Sequence, residues 1–255
     1  LNAGRDTVDF LKRSNEIPEA FFHHWRYISR KGLGQFRNIH QGKRCFIMGN
    51  GPSLKQTDLT KLKNEYTLGM NRIYLAFDDM GFETSYYVSV NDLVIEQCAN
   101  EILELKIPRF VSWRAGKRWL TQQENLYFLY TTYTEPKFAK DIRNRLWESA
   151  TVTYVALQIA FFMGFDEVIL LGLDHNFETK GKANTTIVSQ GDDPTHFAPK
   201  YFGAGFKWQL PDLEGSERAY RLARQAYETA GRMVVDATVG GKLTVFPKVD
   251  YLSLF

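Results

Sequence analysis

The sequence predicts an α/β fold: a Rossmann-like, mostly parallel sheet with helices on both faces, an irregular lid and an N-terminal helical extension. Three observations carry this expectation. From Lys43 onward, short apolar runs alternate with longer helical patterns, as βαβ units do. The strand candidate Arg44–Met48 runs straight into Gly49-Asn50-Gly51-Pro52-Ser53, a turn suited to the carboxyl end of a parallel strand. The 255 residues, 44% hydrophobic and 24% charged, match a folded globular chain long enough to bury a core without disulfide or metal staples.

The elements follow in order. Residues 1–42 read as an amphipathic helical extension with Phe10, Leu11, Ile17, Phe21, Phe22, Trp25 and Ile28 as its apolar positions, ending in Lys31-Gly32-Leu33-Gly34. Residues 43–255 read as a nucleotide-binding α/β domain. Its strands are Arg44–Met48, Tyr66–Met70, Ser85–Val90, Arg109–Ser112, Leu126–Leu129, Glu167–Leu171 and Met233–Asp236. Thr151–Met163, closed by Gly164, is a strongly apolar helix, and Gly215–Ala230 is another. The stretch at about 177–213 has no clear period and mixes Gly, Asn, Asp, Pro and aromatics, so it reads as a lid.

Composition excludes several functions. A formal net charge of +3 without a Lys/Arg block gives no nucleic-acid footprint. No apolar run reaches the roughly 18 residues of a membrane span, which leaves only peripheral contact. Cys45 and Cys98 lack metal-ligand spacing and read as reduced thiols of a cytoplasmic protein, with the inner face of the membrane as an allowed location. The 15% aromatic content suits either a Phe- and Tyr-rich core or a pocket that stacks a ring or sugar.

Chemistry-bearing residues gather at predicted strand ends. Gly49 and Gly51 allow close backbone approach to a ligand, Pro52 opens the next turn, and Ser53 is placed to cap a helix whose N-terminus would hold a phosphate. Leu54 replaces the third glycine of the dinucleotide fingerprint, and no P-loop Lys-Ser/Thr follows. Asn71, Asn91, Asp174 and His175 follow three further strands, and amides suit base and ribose recognition. Ser149, Thr151 and Thr153 open the apolar helix, either as caps or as donors to an anion. His23, His24 and His40 read as surface residues, whereas His196 sits in the lid, where a general base works near neutral pH. No Asp-x-Asp clamp or zinc-spaced cluster occurs, so no metal site is assigned. Asp174, Glu178, Asp192 and Asp193 remain as magnesium candidates.

Two blocks, Ile47–Leu54 and Thr151–Asp174, resemble a superfamily of three groups. These are the bacterial sialyltransferases that use CMP-sialic acid, the flagellin motility accessory factors, and the archaeal MptE-like hydroxymethyldihydropterin pyrophosphokinase. The resemblance spans roughly residues 43–250. It implies that Asn50, Asn71 and Asn91 hold a nucleotide, that the region of Ser149, Thr151 and Thr153 contacts the donor, and that His196 is the catalytic base. Arg145 loosely matches the family's phosphate-stabilising arginine. Asn176 stands where its first tyrosine would be, leaving Tyr201 as the candidate to act on the leaving phosphate.

The expected activity is therefore inverting glycosyl transfer without a metal cofactor, from a nucleotide-sugar donor, CMP-linked and sialic acid-like, to a glycan or glycoprotein acceptor. One alternative is diphosphate transfer from ATP to a pterin alcohol, which would need magnesium. The other is a non-catalytic glycan- or protein-binding module.

Overall fold

The computed structural model describes residues 7–8, 10–11, 14, 16–176 and 181–255. Of the magnesium candidates, Glu178 lies outside the described residues, as does the start of the expected lid.

Eight parallel strands form one sheet: β1 Arg44–Met48, β2 Tyr66–Met70, β3 Tyr86–Ser89, β4 Arg109–Ser112, β5 Leu126–Thr132, β6 Arg145–Trp147, β7 Glu167–Leu171 and β10 Met233–Asp236. A separate antiparallel hairpin pairs β8 Thr186–Val188 with β9 Lys207–Gln209. The helices are α1 Glu16–Phe22, α2 His24–Leu33, α3 Phe77–Met80, α4 Asp92–Gln97, α5 Ala99–Glu104, α6 Trp113–Gly116, α7 Val152–Met163 and α8 Leu213–Thr229.

The order β10-β7-β1-β2-β3-β4-β5-β6 explains where a ligand can sit. The chain steps outward from β1 to β6, then α7 carries it back so that β7 lands on the other side of β1. Connections leave in opposite directions from β1 and β7, which opens a crevice beyond their carboxyl ends. The strands are apolar on both faces because both are covered. Cys45 and Ile47 of β1 pack in the cluster holding α7 and α8, whereas Phe46 and Met48 pack against Leu54, Ile73 and the lid residue Tyr201. Helix α7 is buried almost all round and closes on Gly164, whose φ of +91° ends the helix.

Among its described residues the extension is largely helical, and Ile17 and Trp25 pack against the core as expected, but the buried face is only partly apolar. Phe22 is 84% exposed and Ile28 39% exposed, while Arg26, Ser29 and Leu33 are buried. Helix α2 lies along β5, where β6 pairs only Tyr130–Thr132. There the Phe128 N–H donates to Ser29 Oγ (2.9 Å), and the Trp25 and Phe128 rings stack 6.0 Å apart. A bare strand edge needs a hydrogen-bond acceptor more than it needs another methyl group. His40 also departs from expectation. It is buried, with Nε2 2.6 Å from the Tyr86 hydroxyl and its ring stacked on Phe165, and burial lowers its pKa.

Candidate active site

The crevice beyond β1 and β7 is lined by the β1 loop (Gly49–Gly51), the end of β2 (Met70 and Asn71), the β7 loop (Gly172–Asn176), the first turn of α7 (Ala150–Thr153), the lid residues Thr195, His196, Tyr201 and Phe202, and the start of α8 (Pro211, Leu213, Ser216 and Tyr220). It encloses about 180 Å³, or about 830 Å³ with the space open at its mouth.

The two sheet loops are pressed together. The N–H of Gly49 donates to Leu171 O (2.7 Å) and that of Gly51 to Gly172 O (2.9 Å). A Cβ on Gly51 would lie 1.8 Å from Asp174 Oδ2, so only glycine fits. Asp174 in turn accepts from the Ser53 N–H (3.0 Å) and Ser53 Oγ (2.7 Å). The segment after β1 is a five-residue 3-10 turn, Pro52–Gln56, and this carboxylate already occupies its N-terminal donors. The phosphate cradle expected at Ser53 is thus filled from within the protein, and neither Pro52 nor Ser53 lines the crevice.

Asn50 bridges β1 and β2, its Nδ2 donating to Met70 O (2.9 Å). Its Oδ1 is buried without a partner, a costly state for an amide unless a ligand donor completes it. Asn71 adopts φ +51°, a left-handed conformation that Asn tolerates, and its Oδ1 accepts from Ser89 Oγ (3.1 Å).

The opposite wall is the N-terminus of α7. Thr151 is the N-cap, accepting from the Thr153 N–H (3.2 Å), and lies 3.4 Å from the Tyr220 hydroxyl. A twelve-residue helix presents the positive end of its dipole here. The preceding Glu148 is fully buried, and burial raises its pKa although Arg114 Nη2 lies 3.7 Å away. Arg114 also donates to Asp92 (2.5 Å) and to the Tyr133 hydroxyl (2.7 Å), so the loop into α7 rests on a buried polar floor. His175, at φ +52°, lines the same wall with Nε2 3.1 Å from Glu217 Oε1 of α8.

The lid supplies the remaining wall. His196 Nδ1 lies 2.7 Å from Asp193 Oδ2 and 3.0 Å from Thr195 Oγ1. Asp193 is buried. Desolvation pushes its carboxyl up, but the bonds to His196 and Thr195 outweigh this and hold it below the usual carboxylate range. The His196 ring stacks flat on Tyr201, centroids 4.0 Å apart. Tyr201 is fully buried, which raises its phenol pKa and keeps the proton on oxygen, and that oxygen accepts from the Arg72 N–H (3.3 Å). The Arg72 guanidinium donates to the carbonyls of Lys200 and Tyr201 and sits 5.1 Å from the Phe206 ring centroid. Arg72 therefore clamps the lid to the end of β2.

The sequence profile of the family described as 6-hydroxymethylpterin diphosphokinase MptE-like matches residues 19–180. The chain belongs to this MptE-like family. No curated protein matches it. Among solved structures it is similar to the Maf glycosyltransferase from Magnetospirillum magneticum AMB-1, with a TM-score of 0.52, 14% identity and 89% of this chain covered. The chain spans only 38% of the length of that protein. The sialyltransferase CstII from Campylobacter jejuni, solved with the substrate analogue cytidine-5'-monophosphate, aligns with a TM-score of 0.47 and 15% identity, over 82% of this chain and 85% of CstII. The likeness to the Maf protein establishes a shared fold.

In this MptE-like chain, Gly49, Asn50, Gly51, Asn71, Thr151, Thr153, Asp174, His175, His196 and Tyr201 converge on one crevice. Other residues expected at the site lie elsewhere. Asn91 caps α4, its Oδ1 accepting from the Leu93 and Val94 N–H groups, and Ser149 stops short of the wall. Arg145 lies exposed on β6 over the Tyr130 ring, so it does not match a phosphate-binding arginine. The lid is less irregular than its composition suggests, because β8 and β9 pair within it. Phe202 stacks on Phe206 and Trp208, and of these three only Phe202 lines the crevice, so this aromatic cluster of the lid is mostly internal packing. Arg72 and Glu217 carried no signal in the sequence, since each acts through a partner more than 40 residues away. Asp193 stood out only as a possible metal ligand, although its spacing of three residues from His196 is a local cue.

Proposed function

We propose that this crevice is the active site of an inverting glycosyltransferase whose donor carries a sugar on a nucleoside monophosphate, CMP-linked and acidic. One observation carries the reading: His196, held from behind by Asp193, and the N-terminus of α7 line a single crevice among whose described lining residues there is no lysine or arginine. A helix N-terminus, the Thr151 and Thr153 hydroxyls and His175 suit one phosphate. A triphosphate in the same place would lack countercharge.

In this mechanism the acceptor hydroxyl gives its proton to His196 Nε2. Asp193 holds the ring by Nδ1 and stabilises the imidazolium that forms. The acceptor oxygen attacks the anomeric carbon as its bond to the phosphate oxygen breaks, inverting that centre. The departing phosphate is received at α7, with His175 backed by Glu217 and a protonated Tyr201 as donors. Asn50 Oδ1 accepts from an exocyclic amine of the base. The closed lid keeps out water, which would otherwise hydrolyse the donor.

A second reading draws on the family match itself: diphosphate transfer from ATP to a pterin alcohol, with His196 again as base. It needs magnesium. Here Asp174 is committed to Ser53, Asp193 to His196 and Thr195, and Asp192 is exposed away from the crevice. Thermal unfolding separates the two readings. At a hundredfold excess over Kd, CMP or CDP should stabilise by about 2.7 kcal/mol, roughly 5–10 °C for a chain of this size. Stabilisation by ATP with magnesium alone would replace the glycosyl reading with the diphosphate one. No response to any nucleotide would leave a binding module.

A further inference from the structure

The N-terminal helices carry a second surface, on the side of the molecule away from the crevice. Tyr27, Arg30, Lys31, Arg143 and Asn144 surround a cavity of about 290 Å³ where α2 meets the chain entering β6. Directly beneath lies Arg26, 2% exposed, whose Nη2 donates to Arg143 O (2.7 Å). Its Nε and Nη1 are buried without partners, and burial together with Arg30 lowers its pKa to about 10. Of these cations, only Arg143 has a carboxylate partner among the described residues, Asp141 at 2.5 Å. Among the described residues, Arg30 and Lys31 have no acid within ion-pair distance; Arg30 Nη2 donates instead to Asn144 Oδ1 (3.5 Å).

Four cations against one acid give this small patch an excess of three charges, as large as the net charge of the whole chain. Basic residues in the last turn of α2 favour its dipole. That effect does not account for Arg143, which comes from another part of the chain, or for a buried arginine left half unpaired.

Apolar side chains share the surface. His24, Tyr27, Ile28 and Lys31 follow the i, i+3, i+4, i+7 spacing of one helix stripe, with Tyr27 61% and Ile28 39% exposed. Phe22 just before them is 84% exposed. A soluble polyanion would meet the charges but would not favour bare aromatic and aliphatic side chains. A bilayer interface accommodates both, with aromatics at the headgroup level and cations on anionic lipid. The cavity admits a headgroup phosphate between Arg30, Lys31 and Arg143.

We infer that α2 and the Arg143 loop form a docking surface for anionic membranes, holding the protein peripherally on lipid independently of what its crevice binds. Co-sedimentation with vesicles of phosphatidylcholine alone, or of equimolar phosphatidylcholine and phosphatidylglycerol, tests this. The chain should pellet with the anionic vesicles and release as salt rises. At about 1 kcal/mol per surface charge, Arg30→Gln with Lys31→Gln should weaken partitioning about 25-fold. Tyr27→Ser with Ile28→Ser should weaken it about tenfold through lost apolar contact. All four positions are surface side chains, and unchanged thermal melts will show that the variants fold.

Equal binding to neutral and anionic vesicles would overturn the assignment, as would binding that both double variants retain. Absence of vesicle binding together with capture of soluble dextran sulfate, lost in the Arg30/Lys31 variant and kept in the Tyr27/Ile28 variant, would assign the patch to an acidic polymer instead.

Discussion

Replacing Gly51 by alanine should damage the site through the fold. The added Cβ would stand 1.8 Å from Asp174 Oδ2 and 2.8 Å from Gly172 O, so the β7 loop must retreat. That retreat breaks the bonds from Ser53 N and Ser53 Oγ to the Asp174 carboxylate. Bonds to a charged acceptor contribute about 1.5–3 kcal/mol each. Asp174 is only partly buried, so water recovers part of the loss, and the net cost is about 2–4 kcal/mol. For a chain of this length that lowers Tm by roughly 5–15 °C. Thermal unfolding followed by circular dichroism reads this without any substrate. In an Asp174→Ala background the same substitution should cost clearly less, since only the Gly172 contact remains. A Gly51→Ala protein melting within a degree or so of the wild type would refute the coupling between the two loops.

Three other outcomes are expected. Asp193→Asn keeps an oxygen for the Thr195 N–H but turns an amide toward His196 Nδ1, forcing the ring proton onto Nε2; turnover should fall about 10²–10⁴-fold with nucleotide affinity unchanged. Steady-state kinetics beside calorimetric titration checks this, and undiminished turnover would remove His196 from the role of base. Burial lowers His40 below the ordinary imidazole value of 6.5, so the unfolded chain takes up that proton first. Stability should therefore be whole above about pH 6.5 and decline as pH falls below it, and His40→Asn should lack this component of the Tm-versus-pH curve. Arg72→Met should release the lid from β2 and speed limited proteolysis between Gly181 and Phe206, with little change in the rest of the digestion pattern.

Much of the site was legible because parallel sheets place ligands at strand ends, and strand ends are visible in sequence. Gly49-Asn50-Gly51, Asn71, Thr151 and Asp174 each follow or precede a strongly patterned element, so their convergence needed only the fold class. Asn91 shows the limit of that logic. It too follows a strand, but its strand lies two places from β1, beyond the crevice, and its amide caps α4 through Oδ1 and donates to Gln209 through Nδ2. Ser53 shows another limit, since its donors were real but an acid from 121 residues away had taken them.

The sequence by itself determined the class of fold, the strand-end position of the crevice and the presence of a histidine over it. Periodicity, glycine placement and local caps are short-range properties, and short-range properties are written in consecutive residues. Tertiary structure alone decided which faces are buried and which polar groups remain available. Helix α2 buries Arg26 and Ser29 while exposing Tyr27 and Ile28, because the bare edge of β5 needs an acceptor at that position. His196 is oriented by Asp193 and held down with its lid by Arg72, and the helix N-terminus facing the crevice is that of α7, since Asp174 takes the Ser53 donors after β1. Those outcomes depend on pairings across the sheet and between distant segments, which no local pattern encodes.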